Sequence, residues 1–204
     1  RPWVLLLDEP VSALDEGLRE RVCRQLRQLQ KELNITTLHL SHNLEEALAV
    51  SDWAAVLNDG ELLQVGAMGE LLRKPRNATV ARFLRAENLF QGTAEPAGEG
   101  ESKLIFGTHC VMAGQRRSGA VEFMIRPETI RIVSPDDSEA ENVIPATLER
   151  VADRGIYRRL EFDAGLPVIV FTAPSSATTD WTPGRRYHLV FPAEAIHVLE
   201  PEST

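Results

Sequence analysis

Two neighbouring carboxylates and one imidazole stand near the ends of two short apolar runs. Asp8 and Glu9 follow the run at residues 3–7, and His42 comes shortly after a second run at residues 35–40. In a parallel α/β sheet, the carboxyl ends of the strands form the edge where ligands bind. Nucleotide hydrolysis needs one acid to hold Mg²⁺ and a second group to orient or deprotonate the attacking water. In such chemistry Asp8 would hold the metal and Glu9 would act on the water.

The same residues also allow a purely structural interpretation. Asp8 and Glu9 could begin a turn and cap the next helix, and His42 could be a capping or surface histidine. Taken alone, the acidic dipeptide favours this second interpretation. The surrounding pattern therefore decides between the two.

The elements around these residues favour a parallel α/β architecture. The run at residues 3–7 lacks polar alternation, which is typical of a strand buried on both faces. Apolar residues then recur at helical spacing from Asp15 to Leu33, which predicts an amphipathic helix. The second run at residues 35–40 completes the order strand, helix, strand, and this order favours a parallel sheet.

Shorter signals continue the pattern after the second run. Asn43 stands three residues before Glu46, which predicts a helix N-cap with a capping-box partner. The sequence Asn58-Asp59-Gly60 between two β-like runs predicts a hairpin. Two short helical patterns follow, at residues 70–73 and 79–85.

The character of the chain changes near Asn88. Short β-like runs separated by Gly, Pro, Ser and Asp predict a small all-β barrel or sandwich from residue 88 to residue 204. A faint repeat suggests two similar units, residues 88–133 and 142–199. Each unit opens alike, at residues 87–90 and 141–144, and closes alike, at residues 130–133 and 196–199. Coincidence between generic β sequences is the alternative.

Composition excludes some classes of protein. The 204 residues carry a net charge of −8, and the basic residues are scattered, which argues against a nucleic-acid partner. Cys23 and Cys110 lie far apart and unpatterned, which predicts reduced, buried thiols rather than a disulfide. No apolar run approaches the ~20 residues of a membrane-spanning helix.

Three segments together resemble the ATPases of ATP-binding cassette (ABC) transporters. Residues 4–10, Val-Leu-Leu-Leu-Asp-Glu-Pro, and residues 12–15, Ser-Ala-Leu-Asp, are similar to the Walker B motif and the D-loop of this family. Residues 38–47 resemble its switch-histidine segment, with His42 at the switch position. Ser41 and Asn43 replace the usual Thr and Asp, and they keep the hydroxyl and the capping oxygen. The resemblance covers residues 1–87.

The resemblance implies roles for five residues. Asp8 would hold Mg²⁺ beside bound ATP, Glu9 would be the catalytic base, and His42 would sense the γ-phosphate and help position the water. Ser12 and Asp15 of the D-loop would touch the nucleotide site of the opposite subunit, although both could equally serve as simple helix caps. Residues 1–87 would be the C-terminal half of a P-loop ATPase domain, a parallel sheet with helices.

For the whole protein, the resemblance implies an importer subunit at the cytoplasmic face of the cell membrane. Its partners would be transmembrane permease subunits, a second copy of itself and, indirectly, an extracytoplasmic substrate-binding protein. The phosphate-cradling pattern Gly-x-x-x-x-Gly-Lys-Ser/Thr and the Leu-Ser-Gly-Gly-Gln signature are absent from these 204 residues. We expect both upstream, so this chain alone should not hydrolyse ATP.

The β-rich half resembles the TOBE domain, an oligonucleotide-fold (OB) relative found on importer ATPases. Residues 138–146 are similar to the start of its molybdate-binding type, which makes molybdate or tungstate the leading cargo and Asn142, Thr172 and Ser176 candidate oxyanion ligands. Glu141 and Pro192 stand where the family has Arg and Lys, and a carboxylate repels an oxyanion. Strong oxyanion binding is therefore not expected in this half.

Other interpretations remain open at this point. The importer could carry sulfate, iron, polyamines or sugars, and the β-rich half could be a small-oxyanion sensor. A soluble ABC protein of translation or repair is a third possibility, which the importer-like middle and the β-rich tail disfavour.

Overall fold

The computed structural model describes residues 3–98, 100–133, 141–174 and 181–202. The chain divides into two compact units, residues 1–75 and 76–204. This division comes twelve residues before the boundary expected at residue 87, because residues 76–87 pack with the second unit. Ala78 and Ala81, for example, share a small apolar cluster with Met124 and Leu199.

The first unit begins with two parallel strands and the helix that connects them. Strand β1 covers Val4–Asp8, helix α1 covers Glu16–Leu33, and strand β2 covers Thr36–Leu40. The strands pair in parallel, from Val4 opposite Thr36 to Asp8 opposite Leu40. Helix α2, Leu44–Val50, follows after a short turn. The predicted order of strand, helix and parallel strand is confirmed.

The predicted two-faced burial of β1 is wrong for the described structure. Leu5 and Leu7 on one face of the two-stranded sheet are half-buried, but Val4, Leu6, Leu38 and Leu40 on the other face are between 54% and 70% exposed. The apolar run therefore identifies the strand correctly, while the second face has no cover among the residues that the structure describes.

A hairpin and a short helix complete the first unit. Strands β3, Trp53–Asn58, and β4, Glu61–Ala67, pair antiparallel around Asp59 and Gly60. Both turn residues have positive φ, 48° and 81°, as a type I′ turn requires, and the hairpin prediction is confirmed. Helix α3 then covers Met68–Arg73.

The second unit is almost entirely β, as predicted. Among its described residues, helix α4, Ala78–Phe83, precedes ten strands. The strands are β5 (Asn88–Pro96), β6 (Ser102–Phe106), β7 (His109–Ala113), β8 (Gly119–Ile125), β9 (Arg131–Val133), β10 (Val143–Asp153), β11 (Arg158–Asp163), β12 (Pro167–Thr172), β13 (Arg186–Val190) and β14 (Ile196–Val198). A 3₁₀ turn at Ala193–Ala195 leads into β14.

These strands form two five-stranded sheets that exchange their last strands. The sheet orders are β14-β8-β5-β6-β7 and β12-β11-β10-β13-β9. Strand β14 pairs with β8, with Ile196 opposite Ile125, and β9 pairs with β13, with Arg131 opposite Val190. Each of the two units expected from the repeat thus places four strands in one sheet and its closing strand in the other.

Two asparagines also connect the two sheets, each through hydrogen bonds to an edge strand of the other sheet. The carboxamide of Asn88 donates to Ile169 O and accepts from Ile169 N, both at 2.7 Å. The carboxamide of Asn142 donates to Met112 O at 2.8 Å and accepts from Met112 N at 2.7 Å. Ile169 and Met112 lie on β12 and β7, which are edge strands. Each asparagine therefore covers part of the open edge of the opposite sheet.

The two sheets also share one apolar core. Four phenylalanines from both repeats pack together in it; the ring centroids of Phe106 and Phe123 are 5.0 Å apart, and those of Phe90 and Phe191 are 6.1 Å apart. Aromatic contacts at these distances add to the stabilisation from burial. None of the helices in the described ranges is long and apolar enough to span a lipid bilayer.

The cysteine prediction is half right. Cys23 on α1 is buried, and burial raises the pKa of its thiol. Cys110 is exposed instead, because it lies on edge strand β7 with its side chain on the face away from the core residues Val111 and Ala113.

Candidate functional site

The site is built where β1 and β2 end side by side. Asp8, the last residue of β1, lies opposite Leu40, the last residue of β2. The ladder extends one step further, since Glu9 N donates to Leu40 O at 3.0 Å. The parallel pairing therefore brings Asp8, Glu9 and the turn that carries His42 to one edge, as the sequence predicts.

The backbone of Glu9 adopts a conformation that is unusual for a residue with a side chain. Its φ is +45°, in the left-handed region, which costs an L-residue with a Cβ about 1–2 kcal/mol. Two hydrogen bonds to Glu9 O, from Ser12 N at 3.2 Å and Ser12 Oγ at 3.1 Å, hold this turn. Outliers of this kind cluster at functional sites.

The loop behind Glu9 is anchored by one buried side chain. Val11 is only 1% exposed, and it packs in a small core with Cys23 of α1 and Val50 of α2. Asp15 then caps α1 by accepting a hydrogen bond from Leu18 N at 3.0 Å. The acidic turn is therefore fixed at both ends, by the strand ladder and by the helix.

Glu9 and His42 are in direct contact. His42 Nδ1 lies 3.0 Å from Glu9 Oε1, although 33 positions separate the two residues in the chain. The side chains are 44% (Glu9) and 71% (His42) exposed, and ion pairs this open to solvent stabilise a fold little. The contact is therefore better suited to chemistry at an accessible site than to holding the fold together.

The turn that carries His42 departs from the predicted capping box. Asn43 does cap α2, because its side-chain oxygen accepts from Glu45 N at 2.9 Å and from Glu46 N at 3.4 Å. The carboxylate of Glu46, however, contacts Ser41 and His39 instead of reaching back to the cap N–H. The reason is local: the Ser41 hydroxyl accepts the hydrogen bond of Asn43 N at 3.0 Å, so the cap donor is already satisfied.

Ser12 and Asp15 have clear local roles. Ser12 holds the Glu9 turn and Asp15 caps α1, so the helix-cap alternative from the sequence is confirmed for Asp15. Both side chains are exposed. A role toward a second subunit remains a prediction for these two residues.

Asp8 is compatible with a magnesium ligand. Its carboxylate is exposed on the strand end, and Mg²⁺ uses one or two carboxylates together with substrate phosphates and water. Within the described ranges no group of three or more His, Cys, Asp or Glu side chains could hold a metal alone. The donor set therefore fits a metal that arrives with a nucleotide.

The three candidate oxyanion residues do not form a site comparable to that of Asp8, Glu9 and His42. Both hydrogens of the Asn142 carboxamide are donated inside the fold, to Met112 O at 2.8 Å and to Phe191 O at 3.0 Å, so this group has no hydrogen left for an anion. The hydroxyl of Thr172 is buried and has no hydrogen-bond partner among the described residues. Ser176 lies outside the described residues.

Two known proteins resemble the chain along most of its length. It is 31% identical over 201 residues to the spermidine/putrescine import ATP-binding protein PotA of Acetivibrio thermocellus. This alignment covers 98% of this chain and 54% of that protein. It is 35% identical over 147 residues to the protein of the same name from Borrelia garinii subsp. bavariensis, covering 72% of this chain and 42% of that one. The chain thus spans about half the length of these relatives.

Two further similarities concern the β-rich half. Residues 123–199 match the TOBE domain family. A crystal structure of the cytoplasmic molybdate-binding protein ModG superimposes with a TM-score of 0.50 at 16% identity, over 57% of this chain and 97% of that one. At this identity the likeness concerns the fold alone and supports an OB-like β unit. The chain therefore combines a TOBE domain match with similarity to importer ATP-binding proteins over nearly its whole length.

Proposed function

We propose that this chain is the C-terminal part of the ATP-binding subunit of an ABC importer, in which residues 4–47 supply one side of the ATP-hydrolysis site. The observation that carries the proposal is the contact between Glu9 and His42 at the carboxyl edge of two parallel strands. Similarity to two import ATP-binding proteins supports it independently.

The geometry suits a division of labour between these two side chains. A protonated imidazole donates from both nitrogens, so His42 can donate from Nδ1 to the Glu9 carboxylate and from Nε2 to an anionic phosphate oxygen. Glu9, held by this contact, can accept a proton from a water beside that phosphate. The two Ser12 bonds to Glu9 O restrain the backbone from which this carboxylate projects.

Asp8 would hold Mg²⁺, directly or through water, and the ion would neutralise charge on the phosphates. The exposed apolar face of β1 and β2 fits a domain whose remaining strands and helices belong to other parts of the protein. In the whole subunit we propose a peripheral position on the cytoplasmic side of the membrane. There it would pair with a second copy of itself and with permease subunits. An extracytoplasmic receptor would deliver the substrate to these permease subunits.

Steady-state hydrolysis of Mg-ATP by the full-length protein tests this function. We expect measurable turnover by the full-length protein and none above background by residues 1–204, since no phosphate-cradling glycine loop occurs in them. His42→Ala should lower kcat by about 10²-fold or more, as loss of a hydrogen-bond donor to an oxyanion in the transition state does. Full activity of the His42 variant would refute the assignment of the site.

For the cargo, the sequence similarity favours polyamines over molybdate or tungstate. Both relatives are named for spermidine and putrescine import, whereas the likeness to ModG concerns the fold alone. Glu141 carries a charge that repels an oxyanion, and the Asn142 carboxamide has no hydrogen left to donate to one. Deletion of the gene should abolish uptake of labelled spermidine and leave molybdate uptake unchanged. The reverse result would restore molybdate as the cargo without affecting the ATPase proposal.

A further inference from the structure

Three side chains next to His42 in sequence are in contact: His39 and Glu46 are buried, and Ser41 is half-buried. We call His39, Ser41 and Glu46 the Glu46 cluster. One carboxylate oxygen of Glu46 accepts from Ser41 Oγ at 2.6 Å, and the other contacts His39 Nε2. Ser41 Oγ also accepts from Asn43 N at 3.0 Å. A single carboxylate on α2 thus connects strand β2 to the residue that immediately precedes His42.

The cluster is withdrawn from water. Glu46 is 5% exposed, and the side chain of His39 is 7% exposed. Burying a carboxylate costs free energy unless hydrogen bonds satisfy it, and an apolar residue on the inner face of a helix would avoid that cost. Both oxygens of Glu46 have a partner, whereas Nδ1 of His39 is buried without one among the described residues. The hydrogen bonds to the buried carboxylate restrain the groups that make them.

His42 itself has little to hold its ring in place. Its side chain is 71% exposed, and its contact with Glu9 can form only if the backbone of residues 41–43 directs the ring toward β1. That backbone is restrained on one side by the Asn43 cap of α2 and on the other by the Ser41 hydroxyl bound to Glu46. The Glu46 cluster is therefore one of the two restraints on the backbone that carries His42.

We propose that Glu46 is a positioning residue for His42: through Ser41 and His39, its buried carboxylate holds the β2–α2 turn so that the imidazole faces Glu9. This inference rests on the proposed function, because it assigns Glu46 a role in ATP hydrolysis that acts only through His42. Glu46 does not touch the nucleotide in this account.

A double-mutant cycle in the full-length protein tests the inference. Glu46→Ala should lower kcat for ATP hydrolysis about tenfold or more, with KM for ATP unchanged, because a small misplacement of a catalytic group has effects of this size. In the His42→Ala background the same change should lower the residual rate less than twofold, since the group it positions is gone. Single-turnover release of labelled phosphate resolves these residual rates.

Matched variants separate positioning from a general loss of structure. Glu46→Gln can still accept from Ser41 and donate to a neutral His39 ring, so it should keep kcat within about threefold of the wild type. Glu45→Ala removes the neighbouring exposed carboxylate and should leave kcat unchanged. If Glu46→Ala does not fold, the comparison of Ser41→Ala with Ser41→Thr tests the same positioning role. We expect kcat to fall for Ser41→Ala and to be kept by Ser41→Thr, which retains the hydroxyl.

The outcomes also separate this inference from the proposed function. An equal loss on adding Glu46→Ala to the wild type and to the His42 variant would overturn the positioning role, as would wild-type activity of both Glu46→Ala and Ser41→Ala. Wild-type activity of His42→Ala would instead refute the proposed function itself.

Discussion

Glu9→Gln in the full-length protein is expected to lower kcat for ATP hydrolysis by about 10²–10⁴-fold, the range for loss of a general base. Gln keeps the shape of the side chain and can still contact His42, 3.0 Å from the carboxylate, but it cannot take a proton from water. Nucleotide binding should persist, so ATP-bound dimers should accumulate. Phosphate release, together with size-exclusion chromatography in Mg-ATP, measures both effects.

Glu16→Gln is the matched control for this change. Glu16 is an exposed carboxylate in the first turn of α1, close to Glu9 in sequence, and it makes none of the site contacts described above. Its replacement should leave kcat within about twofold of the wild type, as is usual for a surface substitution. Hydrolysis at the normal rate by Glu9→Gln would show that the base is another residue.

Truncation after Glu194, which removes β14, is expected to unfold the β-rich unit as a whole. Ile196, Val198 and Leu199 are at most 4% exposed, and burial of each contributes about 1.5–3 kcal/mol. Their combined loss approaches the total stability of about 5–15 kcal/mol that is typical of a domain. Thermal unfolding followed by circular dichroism should show loss of the cooperative transition of this unit.

Amide hydrogen exchange can test a more specific expectation, which follows from the pairing of β14 with β8. Strand β14 pairs with β8 of the other repeat, so protection should be lost at residues 123–125, about 70 positions earlier in the chain. Truncation after Glu200 removes only the last four residues and their exposed contacts, and it should leave this protection intact. If β8 stayed protected while only residues 142–194 lost structure, the two repeats would be independent of each other.

Local patterns predict the first unit well because its elements have local causes. The run of apolar residues before Asp8 marks β1, helical periodicity marks α1, and Asn58-Asp59-Gly60 sets a turn whose φ angles are positive. The exposed face of β1 could not be predicted in this way. An apolar run indicates that a strand can be buried, but it does not show which other element packs against it.

Strand partners in the β-rich half show the limit of such patterns. The repeat predicts that residues 130–133 correspond to residues 196–199, but alternation of apolar residues gives only the face of a strand and never its neighbour. The reciprocal bonds of Asn88 and Asn142 are equally invisible in sequence, because each joins a residue to a strand 30 or more positions away.

At the site, the types and spacing of Asp8, Glu9 and His42 were sufficient to predict that they share one edge of the sheet. Two features were not predictable. A glutamate carries no signal for a left-handed φ, and the spacing of Asn43 and Glu46 predicted a capping box that the Ser41 hydroxyl pre-empts. Such competition between neighbouring polar groups is decided only when all of them are placed in three dimensions.

The most direct test of the proposed site is a crystal structure of full-length Glu9→Gln bound to Mg-ATP. We predict a γ-phosphate oxygen within hydrogen-bond distance of His42 and Mg²⁺ bound by Asp8, directly or through one water. A nucleotide held elsewhere, with Asp8, residue 9 and His42 all remote from its phosphates, would contradict the account.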